Sequence, residues 1–189
     1  MEKLLYVNAC VRENSRTAQL ATHVLERLNG HLTEVCLAKE RIRPLDARWL
    51  AKRNELIAAE NFNRPDFQYA KQFADAEEIV IAAPYWDLSF PAALKAYFEA
   101  VNVIGITFAY DGDGTIRHLC RAGRLIYVTT AGGSVGQNMG YEYIRALCGR
   151  FYGIPETICF KAEGLDVAGA DVTAIMQKAE QEIDGKIPG

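Results

Sequence analysis

The fold is decided at the amino terminus, where Leu4-Leu5-Tyr6-Val7-Asn8-Ala9 runs directly into Cys10-Val11-Arg12-Glu13-Asn14-Ser15-Arg16-Thr17. The first stretch is apolar at nearly every position, the pattern of a strand covered on both faces. The second is polar and leads into Ser15–Leu28, where Ala18, Ala21, Leu25 and Leu28 recur at helical spacing and Ser15 is placed to cap the helix. A strand, a loop and a helix therefore follow one another within the first turn of the chain's plan.

The same unit recurs outward from there. Four more short apolar runs, Leu32–Leu37, Glu78–Pro84, Leu125–Thr130 and Thr157–Lys161, are rich in β-branched and aromatic residues. Helical patterns separate them at Asp46–Glu60, Asp66–Ala76, Pro91–Val103, Gln137–Tyr152 and Gly169–Ile183, with Pro91 expected at the first helical position. Strands alternating with helices predict a parallel sheet with right-handed crossovers and helices on both faces. Five such units suit a flavodoxin-like, doubly wound α/β fold of strand order 2-1-3-4-5. Ligands then bind beyond the carboxyl ends of the strands, where the first and third diverge. No repeat or linker interrupts the pattern, so residues 1–189 are expected to form one domain.

Composition excludes several alternatives. A chain of 189 residues with 50% hydrophobic content can bury a full core. Its 21 basic and 24 acidic residues are interspersed, so no basic stripe suggests nucleic acid. Any phosphorylated ligand has to be held by a local loop. Five cysteines, an odd number without CxxC spacing or neighbouring histidines, indicate neither a disulfide framework nor a zinc site. No stretch has the length of a signal peptide's apolar region or of a membrane span, and the expectation is a cytoplasmic protein.

Function is expected in three loops at one sheet edge. Ala9–Thr17 offers hydroxyls at Ser15 and Thr17, cations at Arg12 and Arg16, and the amides of a helix amino terminus. A phosphate monoester needs those donors together with the positive end of the helix dipole. A plain helix cap with solvated arginines uses the same residues. The loop Pro84-Tyr85-Trp86-Asp87-Leu88-Ser89-Phe90-Pro91 brackets two large aromatics and an acid between prolines, an arrangement suited to a flat heterocycle. A packed loop covering the sheet's end is the alternative. The Gly132-Gly133 pair in Thr129–Ser134 permits close approach of a ligand to the backbone, or an ordinary turn. The three loops gain weight by converging.

Residues Ala83–Phe98, APYWDLSFPAALKAYF, resemble the APMYNFxxPxxLKxYxD signature of FMN-dependent NAD(P)H:quinone oxidoreductases and azoreductases. Gly105-Ile106-Thr107-Phe108-Ala109-Tyr110 resembles that family's GxTFxY segment, and Gly153-Ile154 with Ala162-Glu163-Gly164-Leu165 resembles its closing GI…AEGL pattern. The resemblance implies bound FMN, NADH or NADPH as electron donor, and a quinone-like or azo compound as small-molecule acceptor. It implies that Ser15, Arg16 and Thr17 hold the flavin phosphate, with Cys10 and Arg12 lining the loop. Pro84, Tyr85, Trp86, Asp87 and Leu88 would run along the isoalloxazine ring, largely through backbone groups. Thr130, Ala131, Gly132 and Gly133 would meet its pyrimidine side. Phe108 and Tyr110, with Trp86 and Asp87, would shape the substrate pocket across a homodimer interface.

The chain departs from the family where Met-Tyr-Asn becomes Tyr85-Trp86-Asp87. Asp87 puts an acceptor where an amide donor is expected beside the flavin, and a negative charge there would lower the flavin's potential. Trp86 would narrow the pocket. No Ser/His/Asp triad is present; His23, His31 and His118 read as packed or solvated side chains. Asp111-Gly112-Asp113-Gly114 lacks the glutamate of a calcium loop and reads as a turn. Two other functions share the fold: a flavodoxin-type electron carrier without productive NAD(P)H access, and a flavin-free binding scaffold.

Overall fold

The computed structural model describes residues 2–187. Five strands, β1 (Lys3–Asn8), β2 (His31–Cys36), β3 (Glu78–Ala82), β6 (Arg124–Thr130) and β7 (Glu156–Ala162), form one parallel sheet in the order β2-β1-β3-β6-β7. Counting only these strands, that is the expected order 2-1-3-4-5. Two short strands stand apart, β4 (Phe108–Tyr110) and β5 (Ile116–His118), paired as an antiparallel hairpin.

Period-two alternation divides each central strand between two cores. Leu5 and Val7 of β1, Ile79 and Ile81 of β3, and Leu125 and Tyr127 of β6 face one side. Helices α3 (Gln68–Asp75), α4 (Ala92–Val101) and α5 (Met139–Leu147) cover that side through Phe73, Leu94, Tyr97, Phe98 and Ile144. The alternate residues Leu4, Tyr6, Val80, Ala82, Ile126 and Val128 face α1 (Arg16–Leu25) and α6 (Val172–Lys186), meeting Leu20, Val24 and Ile183. Every residue of β3 is buried, which explains why its sequence runs apolar without alternating. Helix α2 (Ala47–Ala58) lies outside these layers and buries no residue fully.

Helix boundaries differ from the expected ones where side-chain caps decide them. Asp171 accepts from Ala174 N at 3.0 Å, so α6 begins at Val172 and not at Gly169. Pro91 precedes α4 in an extended conformation (φ −57°, ψ 142°) as its N-cap, not as its first helical residue. The helix expected over Gln137–Tyr152 begins after Asn138, whose side chain accepts from Tyr141 N at 3.0 Å. It widens into a π turn at Cys148–Tyr152 and ends at Gly153 in the left-handed region (φ 69°). A Cβ at Gly153 would lie 2.5 Å from His118 Cγ, so the position also needs a glycine for space. The hairpin β4–β5 is too short for hydrophobic periodicity to reveal. Its tip is the Asp111–Gly114 turn, closed by Gly114 N donating to Asp111 O at 2.9 Å.

No helix among the described residues is long and apolar enough to cross a membrane. All five cysteines are free, and burial pushes the thiols of Cys120, Cys148 and Cys159 up to about 12.

Ile81 is fully buried at the centre of the sheet. Ile81→Ala is expected to lower unfolding free energy by about 2–5 kcal/mol, the range for deleting a buried aliphatic side chain that leaves a cavity. Urea denaturation followed by circular dichroism measures it. A loss below about 1 kcal/mol would mean that β3 is not the packed centre.

Candidate active site

The carboxyl ends of the strands carry the site because the sheet's hydrogen bonding continues past them. Ala9 N donates to Ala82 O at 2.8 Å, Ala83 N to Val128 O at 3.0 Å, Tyr85 N to Thr130 O at 3.0 Å, and Ala131 N to Ala162 O at 2.9 Å. These bonds hold the three expected loops in register around a cleft of about 340 Å³.

One wall is the β1–α1 loop. Cys10 N donates to Asn8 Oδ1 at 3.0 Å, turning the chain out of the sheet. Ser15 caps α1, its Oγ accepting from Ala18 N at 3.3 Å. Among the described residues, the backbone amides from Val11 to Thr17 have no hydrogen-bond acceptor in the chain, and the first turn of α1 has no acidic side chain. Thr17 is buried, and its Oγ1 shares a 2.7 Å hydrogen bond with Thr130 Oγ1, tying α1 to the end of β6. Arg16 reaches across the cleft, Nη1 donating to Asp166 Oδ1 at 2.8 Å and to Leu165 O at 3.3 Å. Arg12 is exposed at the cleft and has no ion pair among the described residues.

The second wall is the loop after β3. Trp86 N donates to Ser89 O at 3.1 Å and Ser89 N to Trp86 O at 2.8 Å, closing a two-residue turn. Its central residues, Asp87 (φ 50°) and Leu88 (φ 66°), both lie in the left-handed region, the geometry of a type I′ turn. A leucine there is strained by about 1–2 kcal/mol. Met139 N donates to Leu88 O at 3.0 Å, and Tyr85 Oη donates to Gln137 O at 3.2 Å. The turn is thereby fastened to the start of α5 and the residue before its cap.

The remaining wall pairs the loop after β6 with the loop after β7. Leu165 N donates to Ala131 O at 3.2 Å and Asp166 N to Gly132 O at 2.9 Å. Asp166 lies so close to Gly132 that a Cβ there would collide with its carboxylate. Glu163 accepts from Val135 N at 2.9 Å, and that donor, with Lys161, holds its carboxyl below the usual range.

Of the residues singled out from sequence, Arg12, Ser15, Arg16, Thr17, Pro84, Tyr85, Trp86, Thr130, Ala131 and Gly132 line the cleft. The others do not. Cys10 is buried beneath the loop, and burial pushes its thiol up. Asp87 and Leu88 form the turn's tip beyond the cleft lining, and Gly133 is exposed next to it. Phe108 packs on Phe151 at 4.9 Å between ring centroids, and Tyr110 is exposed on the hairpin, both away from this chain's cleft. The amides of Tyr85 and Trp86 are also committed inside the chain. Among the described residues, the amides of Asp87, Leu88, Gly132 and Gly133 have no acceptor. The sequence reading missed Val11, Asn14, Leu165 and Asp166. The last two come from a fourth loop at the same sheet edge, which the strand order itself places beside Ala131.

The flavodoxin-like fold family matches residues 2–187. The "FMN-dependent NADH:quinone oxidoreductase" of Lachnoclostridium phytofermentans is 34% identical over 195 aligned residues, covering 96% of each chain. "FMN-dependent NADH:quinone oxidoreductase 2" of Clostridium acetobutylicum is 35% identical, covering 94% of each. The chain belongs to this oxidoreductase family. An FMN-dependent NADH-azoreductase from Bacillus anthracis, solved in complex with FMN, has the same fold, with a TM-score of 0.82 at 22% identity over 99% of this chain and 98% of that one.

The Thr17–Thr130 bond is the site's internal brace. Thr17→Val leaves Thr130 buried without a partner and is expected to cost about 1–3 kcal/mol of stability. Adding Thr130→Val should recover part of that loss, measured as the coupling in a double-mutant cycle by thermal or urea unfolding. Strictly additive losses would show that the two hydroxyls do not bond.

Proposed function

We propose that this protein is an FMN-dependent NADH:quinone oxidoreductase that holds the flavin phosphate at the amino end of α1 and the ring along Pro84–Trp86. The observation that carries the reading is the run of acceptor-less amides from Val11 to Thr17 opening into the cleft, in a chain about one-third identical to named members of that family.

The residues fit the group. Amides at a helix start, the dipole's positive end and the hydroxyl proton of Ser15 are donors that a phosphate dianion accepts from. Arg12 supplies an uncommitted guanidinium. Arg16 neutralises Asp166, so that carboxylate does not repel the phosphate, and its remaining N–H groups stay free to donate. On the other side, the amides of Gly132 and Gly133 suit the carbonyl and nitrogen edge of the ring. When bound, FMN supplies two-electron chemistry, taking a hydride from NADH and delivering it to a quinone or azo acceptor. The protein's part is placement. Trp86 (40% exposed), Leu88 (62%) and Met139 (48%) make an apolar rim that receives a flat acceptor and sheds water from the ring's open side.

The reading extends to a cytoplasmic homodimer. Five free cysteines suit a reducing compartment. Tyr110 and Ile104, both exposed and apolar near the hairpin, suit a contact with a second copy that brings Phe108 and Tyr110 toward the other cleft.

Purified protein is expected to be yellow, or to become so with FMN, and to bleach rapidly when mixed anaerobically with NADH. Protein that bleaches only with a partner reductase is an electron carrier; protein that takes up no FMN is neither. Arg12→Ala should weaken FMN binding by roughly tenfold, the loss of one charge-assisted hydrogen bond, read by fluorescence titration. Unchanged affinity would move the phosphate away from Arg12.

A further inference from the structure

A second cleft, of about 450 Å³, opens between the segment after β2 and helices α2, α3 and α4, and it shares no wall residue with the first. Its basic lining consists of Arg41, Arg43, Arg48, Lys52 and Arg53, against two acids, Asp46 and Asp66. Both acids are engaged. Asp46 Oδ1 accepts from Trp49 N at 2.7 Å to cap α2, and Asp66 pairs with Lys52 at 2.9 Å and with Arg64 at 3.6 Å. The neighbouring carboxylates are engaged as well: Glu99 by Lys95 at 2.8 Å and Leu45 N at 3.2 Å, and Glu40 by the Tyr69 hydroxyl at 2.6 Å.

Three of the five cations are not matched. Among the described residues, Arg41, Arg43 and Arg48 have no ion pair. Arg53 Nη1 donates to Glu99 O at 3.1 Å, but its Nε–H is buried with no acceptor. A buried donor of that kind costs stability unless something supplies an acceptor. In a chain of net charge −3, a surplus of guanidinium groups around one concavity is a local feature and not the character of the surface. Trp49 and Ile42, both partly exposed, add apolar wall, with the Lys52 ammonium lying over the Trp49 ring at 5.0 Å from its centroid.

We propose that this cleft binds a nucleoside phosphate, its phosphates on Arg41, Arg43 and Arg48 and its base against the Trp49 wall. Arginine forks match phosphate oxygens two at a time, and the cleft falls within the range of about 300–1,000 Å³ typical of small-ligand sites. The site is separate from the flavin cleft and rests on the reading of that cleft only for the FMN-loaded state in which it is tested.

The test titrates ADP, pyrophosphate and adenosine into FMN-loaded protein by calorimetry. ADP is expected to bind at one site, with pyrophosphate and adenosine each weaker. Arg41→Ala/Arg43→Ala should weaken ADP by roughly tenfold or more while flavin content and the rate of reduction by NADH stay at wild-type values. In Trp86→Phe, Trp49 is the one remaining tryptophan of two, and its fluorescence should change as ADP binds. Several results overturn the proposal: no binding of ADP up to about 1 mM, adenosine or pyrophosphate matching ADP, or equal affinity in the double variant. Equal affinity would place ADP over the flavin as a fragment of NADH.

Discussion

Everything at the cleft depends on β1, β3 and β6 remaining hydrogen-bonded for a residue or more past their formal ends. Parallel strands buried on both faces leave their backbone groups no solvent to turn to, so the ladder has to be completed by neighbouring strands. Ala9, Ala83, Tyr85 and Ala131 complete it. The consequence is directional. The loops after β1, β3 and β6 leave from the same edge with their first residues fixed, while the Val11–Thr17 amides that follow Cys10 have no strand left to pair with. The acceptor-less run from Val11 to Thr17 spans the gap after the sheet stops and the first two residues of α1, whose amides have no preceding turn to bond to. Binding capacity for an anion is thus a by-product of where the ladder ends.

Fixing the loops this firmly has a local cost. The turn after Trp86 must reverse within two residues, which forces both Asp87 and Leu88 into the left-handed region. Such strain persists only where surrounding bonds over-determine it. Here the paired bonds of Trp86 with Ser89, and that from Met139 N to Leu88 O, do so. The same bonds leave the amides of Asp87 and Leu88 unused and pointing out of the turn's own network. Strain and available donors have one cause.

The fold was legible because its signal is repeated: five apolar runs, each followed by a helical period, leave little choice of topology. Ser15 was legible as the cap of α1, since a hydroxyl at a strand-to-helix junction caps helices readily, and its Oγ accepts from Ala18 N. What stayed hidden was whatever depends on two distant segments meeting. Asp166 shows no pattern in its own neighbourhood; only the 2.8 Å approach of Arg16 gives it a role. The commitment of the Tyr85 and Trp86 amides to Thr130 and Ser89 was equally invisible, because the residue types do not tell which donors the sheet consumes. The hairpin at Phe108–His118 escaped because three residues a side carry no period.

The turn also bears on the departures from the family signature. Asparagine and aspartate are both enriched in left-handed backbone, because a short polar side chain can bond locally there. Asp87 in place of asparagine therefore preserves the turn's conformation, and its side chain sits beyond the cleft lining. Trp86 is different. It lines the cleft and is still 40% exposed, so its indole is apolar surface offered to whatever enters. Conformation constrains position 87; the acceptor's shape meets position 86. Of these two departures, only Trp86 lines the cleft and meets what enters it.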